Sequence, residues 1–226
     1  MYNEEQLIKA IEQSFKMYKL YGARSTAKLK PIHKFVADTL TEIYGKSFEV
    51  HFMGDETKEM TVDGKYYPKN IDITVTKNGE VVFCLGIKFV TSNYKQNANN
   101  YFENMMGETA NIQALGNLSY AQLIILRHET PYYKKNETET PSKIEIVNDK
   151  DIQKYLNLVF DYPQAHRPNY IGIQVINVNE VANKVALTNL DNSFSAETSK
   201  LLNGKLSLTN FFKEISEYKD FLITKE

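Results

Sequence analysis

The sequence predicts an α/β protein with a central mixed sheet flanked by helices, and three patterns predict it. Segments with apolar residues at every third or fourth position open and close the chain, as amphipathic helices require. Between them, two strand-like runs meet at Asn78-Gly79, a dipeptide favoured in tight hairpins because both central residues take positive φ. The second run, Val81 to Val90, is nearly continuous in apolar residues, as a strand covered on both faces should be.

Taken in order, residues 4–20 carry Leu7, Ile8, Ile11, Phe15 and Tyr18 at helical spacing and stop near Gly22. A second helix starts at Pro31, acceptable in a first turn, and runs through Ile32, Phe35, Val36, Leu40 and Ile43 to Gly45. A short strand over 48–52 follows, then a polar loop or ragged hairpin over 54–69. In the first arm of the main hairpin, Ile71, Ile73 and Val75 alternate with Asp72, Thr74 and Thr76. After a polar stretch over 91–100, Phe102, Met105, Met106, Thr109, Ile112 and Leu115 predict a helix up to Gly116, and 121–126 predicts a buried strand. That makes a core of helix, three strands, helix, strand, with a right-handed crossover to the last. Residues 128–143, with Pro131, Pro141 and the charged run from Lys134 to Glu139, predict a long surface loop. A strand over 143–147, a helix over 149–160, a strand over 170–178 and a helix over 207–222 complete the chain.

A chain of 226 residues with 42% hydrophobic and 24% charged residues suits one domain, here 1–226, with a core over about 30–127 and a C-terminal extension over about 143–226. No apolar run approaches the roughly 18 residues that span a bilayer. The acidic start Met1-Tyr2-Asn3-Glu4-Glu5 lacks the pattern of a secretory signal, and the single cysteine, Cys84, excludes an intramolecular disulfide. A cytoplasmic protein with no membrane partner is the expectation. A net charge of −1 argues against coating nucleic acid by bulk charge, but leaves room for a local basic cleft.

The chemistry-bearing residues lie on the hairpin. Cys84, Gly86 and Lys88 share one face of the second arm, and Phe83, Leu85, Ile87 and Phe89 the other. Lys88 is therefore an ammonium inside a very apolar run, where an unpaired charge is costly. Asp72 breaks the apolar alternation of the first arm in the same way. A cross-strand ion pair, worth about 0–1 kcal/mol when exposed, or a solvated sheet face carrying both, would account for the two residues.

Pro68, Asp72, the turn, and Lys88, set between a preceding helix and a following helix-strand unit, resemble the PD-(D/E)xK nuclease superfamily, and most closely its type II restriction endonucleases. The resemblance covers roughly residues 30–127. It implies a restriction-endonuclease-like core and Mg²⁺-dependent hydrolysis of phosphodiesters in double-stranded DNA at a short sequence, commonly by a homodimer. It also implies the roles: Asp72 as first metal ligand, Gly86 in the acidic slot, the Ile87 carbonyl as a further ligand, and Lys88 steadying the attacking water. Two departures stand out: Pro68 is not adjacent to Asp72, and Gly86 removes a carboxylate.

Three explanations of Gly86 stand open. The natural residue is Glu and this chain is inactivated, in which case Gly86→Glu should restore cutting; this is preferred because glycine within a buried strand is unfavourable without a close-packing reason. Alternatively the acid has migrated to Glu103, Glu108 or Glu80, or the domain binds DNA without cutting. A nuclease for damaged, branched or end-bearing DNA is a further reading. Candidate DNA contacts are Asn93, Lys95, Gln96, Asn97 and Asn100 after the lysine, where Asn and Gln can read adenine and Lys suits phosphate; a polar helix start explains this run equally. The other basic cluster is Arg24, Lys28, Lys30 and Lys34, which a solvated helix face also explains. The histidines His33, His51, His128 and His166 show no ligand spacing and are read as structural or surface residues. No phosphate-cradling glycine loop or nucleophile elbow is present.

Overall fold

The structure, a computed structural model, describes residues 2–22, 25–55, 57–116, 118–134 and 140–224. Helix α1 (Glu4–Tyr21) is capped by the Asn3 side chain, which accepts from the Gln6 amide, and ends at Gly22, where φ is +80°. Helix α2 (Lys30–Tyr44) has Pro31 in its first turn and stops at Gly45. Strand β1 (Glu49–Phe52) follows, then a small antiparallel pair, β2 (Met60–Val62) and β3 (Lys69–Ile71), which is the ragged hairpin expected over 54–69. The main hairpin is β4 (Ile73–Lys77) and β5 (Glu80–Val90), turning at Asn78 and Gly79, both at positive φ.

Helix α3 (Tyr94–Gln113) leads to β6 (Ser119–Arg127), β7 (Glu129–Tyr132), β8 (Lys143–Ile146), α4 (Asp149–Phe160), β9 (Tyr170–Asn179), β10 (Lys184–Leu187), α5 (Leu190–Ser193), α6 (Ala196–Asn203) and α7 (Leu208–Thr224). The central sheet has the order β1-β4-β5-β6-β9-β10. β1, β4 and β5 are antiparallel, β5, β6 and β9 parallel, and β10 antiparallel to β9. The α/β class with a mixed sheet between helices is as expected, and so is the core order: α2, then β1, β4 and β5, then α3 and β6.

Three expectations need correction. α3 begins inside the stretch read as polar, because Tyr94 and Ala98 are buried and anchor a helix face that an Asn-rich sequence hides. Residues 128–143 are not simply a loop: β7 pairs with β8, and Thr130 is buried; of the charged run from Lys134 to Glu139, all after Lys134 lies outside the described residues. No element was expected between 178 and 207, where β10, α5 and α6 stand.

Alternation along β5 sorts its side chains between two apolar layers. Phe83, Leu85, Ile87 and Phe89 join Leu7, Ile11, Phe15, Val36, Leu40 and Phe211 under α1, α2 and α7. On the opposite face, Val90 joins a cluster with Tyr94, Met105, Ile124 and Tyr155, whereas Cys84 joins a smaller one with Val62, Ile71, Ile112 and Tyr120. Gly86 and Lys88 fall between these two clusters. Each fully buried Phe or Leu contributes about 1.5–3 kcal/mol, so both layers hold the hairpin in register around that gap.

Candidate active site

The gap is a cleft of about 260 Å³ whose lining includes Asp72, Gly86, Lys88, Lys69, Glu108 and Tyr101. Asp72 reaches it because of where the chain bends. β3 pairs in the small sheet and β4 in the central one, and Asp72, between them, belongs to neither ladder. Its carboxylate turns instead to β5, where Oδ2 accepts the Ile87 amide at 2.6 Å. Burial pushes the Asp72 pKa up to about 6; the Ile87 hydrogen bond opposes this, the Glu108 charge adds to it, and Lys88 and Lys69 pull it back.

Lys88 and Asp72 are brought to one cleft but make no ion pair. Among the described residues Lys88 has none, and its Nζ stands 4.5 Å above the Tyr101 ring, a cation–π contact that leaves the ammonium available to an anion. Lys88 also lowers the pKa of half-buried Lys28, second to burial, so two ammonium groups converge near the cleft. Leu29, between Lys28 and Lys30, is part of the lining.

Gly86 has the close-packing reason that the sequence did not show. A Cβ built there would fall on the Tyr120 hydroxyl and lie 2.9 Å from Gln122 Oε1. Tyr120 is 1% exposed, and Gln122 Nε2 donates to the Gly86 carbonyl at 3.0 Å. Neighbouring β6 thus fills the slot where a second hairpin carboxylate would stand. A Glu side chain there would have to move the outer ends of two side chains, the Tyr120 hydroxyl and the Gln122 amide.

Of the three alternative acids, Glu108 is in the cleft. It pairs with Lys69 and accepts from the Tyr120 hydroxyl at 3.4 Å. Glu103 and Glu80 are exposed and do not line it. Asn111, one helical turn beyond Glu108 on α3, holds the β2–β3 hairpin in place: its side chain accepts from the Tyr66 amide at 3.0 Å and donates to the Tyr67 carbonyl at 2.9 Å. That latch sets where Lys69 meets Glu108.

Two further residues escaped the sequence reading. His33 on α2 and Glu59, just before β2, bring a ring nitrogen and a carboxylate oxygen to Asp72, all three ligand atoms lying within 4.8 Å of one another. His33 is fully buried and neither ring nitrogen has a hydrogen-bond partner. Burial lowers its pKa to about 4, only partly countered by Glu59, so the imidazole is neutral at neutral pH. The Glu59 pKa is raised, by burial first and by Asp72 second. The signal available in the sequence was a histidine beside Ile32 on an apolar helix face, which does not by itself distinguish a ligand from core packing.

The run after Lys88 is committed within the protein. The Asn93 side chain accepts from the Tyr133 amide and donates to its carbonyl, both at 2.9 Å. Lys95 pairs with Asp151, Gln96 donates to Glu145 at 2.8 Å, and Asn97 donates to the Asn93 carbonyl at 3.0 Å. Asn93, Lys95 and Gln96 thus fasten the start of α3 to the 133 region, α4 and β8, while the Asn97 bond stays within the helix entrance. Asn100 is exposed on α3. Lys30 pairs with Asp55 at 2.9 Å and Lys34 with Asp38 at 2.8 Å, whereas Arg24 lies outside the described residues.

Fold and cleft together define an α/β protein with a carboxylate- and lysine-bearing cleft against the central strands of a mixed sheet. No family model and no curated protein matches the chain. Among solved structures, NucC of P. aeruginosa ATCC27853 in its cAAA-bound form is similar over 98% of this chain and 92% of its own, at 11% identity and a TM-score of 0.46. A likeness at that level leaves the functional reading to the site itself.

Proposed function

We propose that the chain is a divalent-metal-dependent nuclease that hydrolyses phosphodiesters in duplex DNA, in the manner of a type II restriction endonuclease acting as a homodimer on a palindromic site. The observation that carries it is the meeting of Asp72, Glu108 and the ion-pair-free ammonium of Lys88 in one cleft, beside a glycine whose slot is filled. The carboxylates of Asp72 and Glu108, with the Ile87 carbonyl, are hard oxygen donors of the kind that Mg²⁺ takes. When bound there, the ion would supply charge to the scissile phosphate and acidify water. Asp72 is held for this by the Ile87 amide. Lys88, aimed over Tyr101, places positive charge where the phosphate oxygens gain negative charge. Glu108 must loosen its grip on Lys69 to take part, which frees Lys69 for phosphate as well.

The test is cleavage of long duplex DNA with Mg²⁺ by the unaltered chain and by Asp72→Asn, Lys88→Ala and Glu108→Gln. Each substitution should lower the rate by about 10²-fold or more, the usual cost of losing one preorganised charge-stabilising group. Unchanged cutting by Glu108→Gln would remove the migrated-acid account. A second reading, DNA binding without cleavage, is favoured by the Lys69–Glu108 pair, which ties up the one other acid in the cleft lining among the described residues. It takes over if intact, branched and end-bearing DNA are all bound and none is cut.

A further inference from the structure

We infer that His33, Glu59 and Asp72 form a ligand set for a first-row transition-metal dication, which the site takes in preference to Mg²⁺. The inference rests on the proposed metal-dependent reading insofar as Asp72 serves both. Three observations from separate segments of chain support it. A histidine on α2, a glutamate before β2 and an aspartate at the β3–β4 bend place one ligand atom each within 4.8 Å of the others. His33 is buried completely, yet both its ring nitrogens lack a partner in a region where buried polar groups are almost always satisfied. Asp72 also keeps one carboxylate oxygen beyond the Ile87 hydrogen bond.

The chemistry of the donors selects the ion. Mg²⁺ prefers an all-oxygen octahedron and keeps its waters. Imidazole beside two carboxylates suits Mn²⁺, Fe²⁺ or Zn²⁺, which accept nitrogen and oxygen together. Donors at about 2.0–2.2 Å from one ion in a tetrahedral set stand roughly 3.3–3.6 Å apart. Closure therefore asks for up to about 1.5 Å, and Glu59 sits in an irregular segment that can supply it.

The experiment uses the full chain and the metal alone, without DNA. Mn²⁺ and Mg²⁺ are titrated by calorimetry, and the Mn²⁺-loaded protein is examined by electron spin-echo spectroscopy for ¹⁴N modulation from a coordinated imidazole. The expected result is ¹⁴N modulation and a Mn²⁺ affinity at least about tenfold above that for Mg²⁺, a margin no larger than loss of an outer-sphere partner commonly produces. His33→Leu should abolish the modulation and the preference, and Glu59→Gln should weaken Mn²⁺ binding with the modulation kept. The unaltered protein suffices if His33→Leu fails to fold: a spectrum without nitrogen coupling, or equal affinities, overturns the inference. Cleavage assayed separately keeps the two ideas apart. Cutting of DNA with Mg²⁺ and no nitrogen coupling leaves the nuclease standing without this ligand set, whereas nitrogen coupling without any cutting does the reverse.

Discussion

Burial acts in opposite directions on Asp72 and His33, and the result is a pH dependence that each conceals in the other. The His33 pKa falls from an ordinary 6.5 to about 4, so as pH drops through 6.5 the unfolded chain takes up the proton first and stability is lost down to about pH 4. The Asp72 pKa rises from 3.8 to about 6, so as pH climbs through 3.8 the unfolded chain releases its proton first and stability is lost up to about pH 6. Each amounts to about 3 kcal/mol at about 1.4 kcal/mol per unit, and between pH 4 and 6 they oppose one another. Asp72→Asn should therefore raise stability at pH 7 by up to about 3 kcal/mol and leave a steeper fall from pH 6.5 to 4, measured by urea unfolding at several pH values. A variant no more stable than the parent at pH 7 would contradict the assignment. Gly86 yields the second prediction at this scale. Gly86→Ala should cost about 1–3 kcal/mol by overpacking against Tyr120 and Gln122 and lower the thermal midpoint, and Gly86→Glu should not gain activity. The sequence made Gly86 conspicuous, but its neighbours come from β6, more than thirty residues away in the chain, and no local pattern shows them.

At the scale of elements, what was legible followed from periodicity. α1, α2, β5, β6, α4, β9 and α7 each carry an apolar stripe or run, and each lies where that pattern placed it. α3 was read late because its first turns present Asn, Lys and Gln, and the tertiary partners Glu145, Asp151 and Tyr133 that make this segment helical are remote in sequence. The same gap hid the cleft's shape, since Glu108 and Asn111 look like ordinary polar positions of an amphipathic helix. Asn111 is nearly fully buried and latches the β2–β3 hairpin to α3. Its replacement by alanine removes its bonds to the Tyr66 amide and the Tyr67 carbonyl, at about 0.5–1.5 kcal/mol for each hydrogen bond lost. The expected outcome is that loss of stability together with faster amide exchange in 60–71, and a fall in any cleavage activity because Lys69 and Glu59 lose their placement. Exchange confined to the ends of α3 would argue against the latch.

At the scale of the whole molecule, a net charge of −1 means that any grip on DNA must come from a local field, and the described lysines at the cleft define where that field is. Among the described residues Lys88 faces the cleft without an ion pair, and Lys28 lies close enough to feel its charge. A backbone phosphate lying beside both ammonium groups would meet two positive charges at once. Each phosphate neutralised releases counterions, and log K should fall against log salt with a slope of about −0.9 per contact. Three contacts would weaken binding by roughly 40-fold between 50 and 200 mM salt. Removing the Lys88 charge as Lys88→Ala should make the slope shallower by about 0.9, and Lys28→Ala should do the same, whatever the DNA sequence. Lys95→Glu should behave differently: its ammonium pairs with Asp151, so reversal should destabilise the α3–α4 contact and leave the salt slope nearly unchanged. Fluorescence anisotropy of a labelled duplex at four or five salt concentrations measures the slopes of the parent chain and the three variants. A slope near zero for the parent chain, or one that Lys95→Glu changes more than Lys88→Ala, would move the DNA-binding face away from the cleft and with it the case for cleavage there.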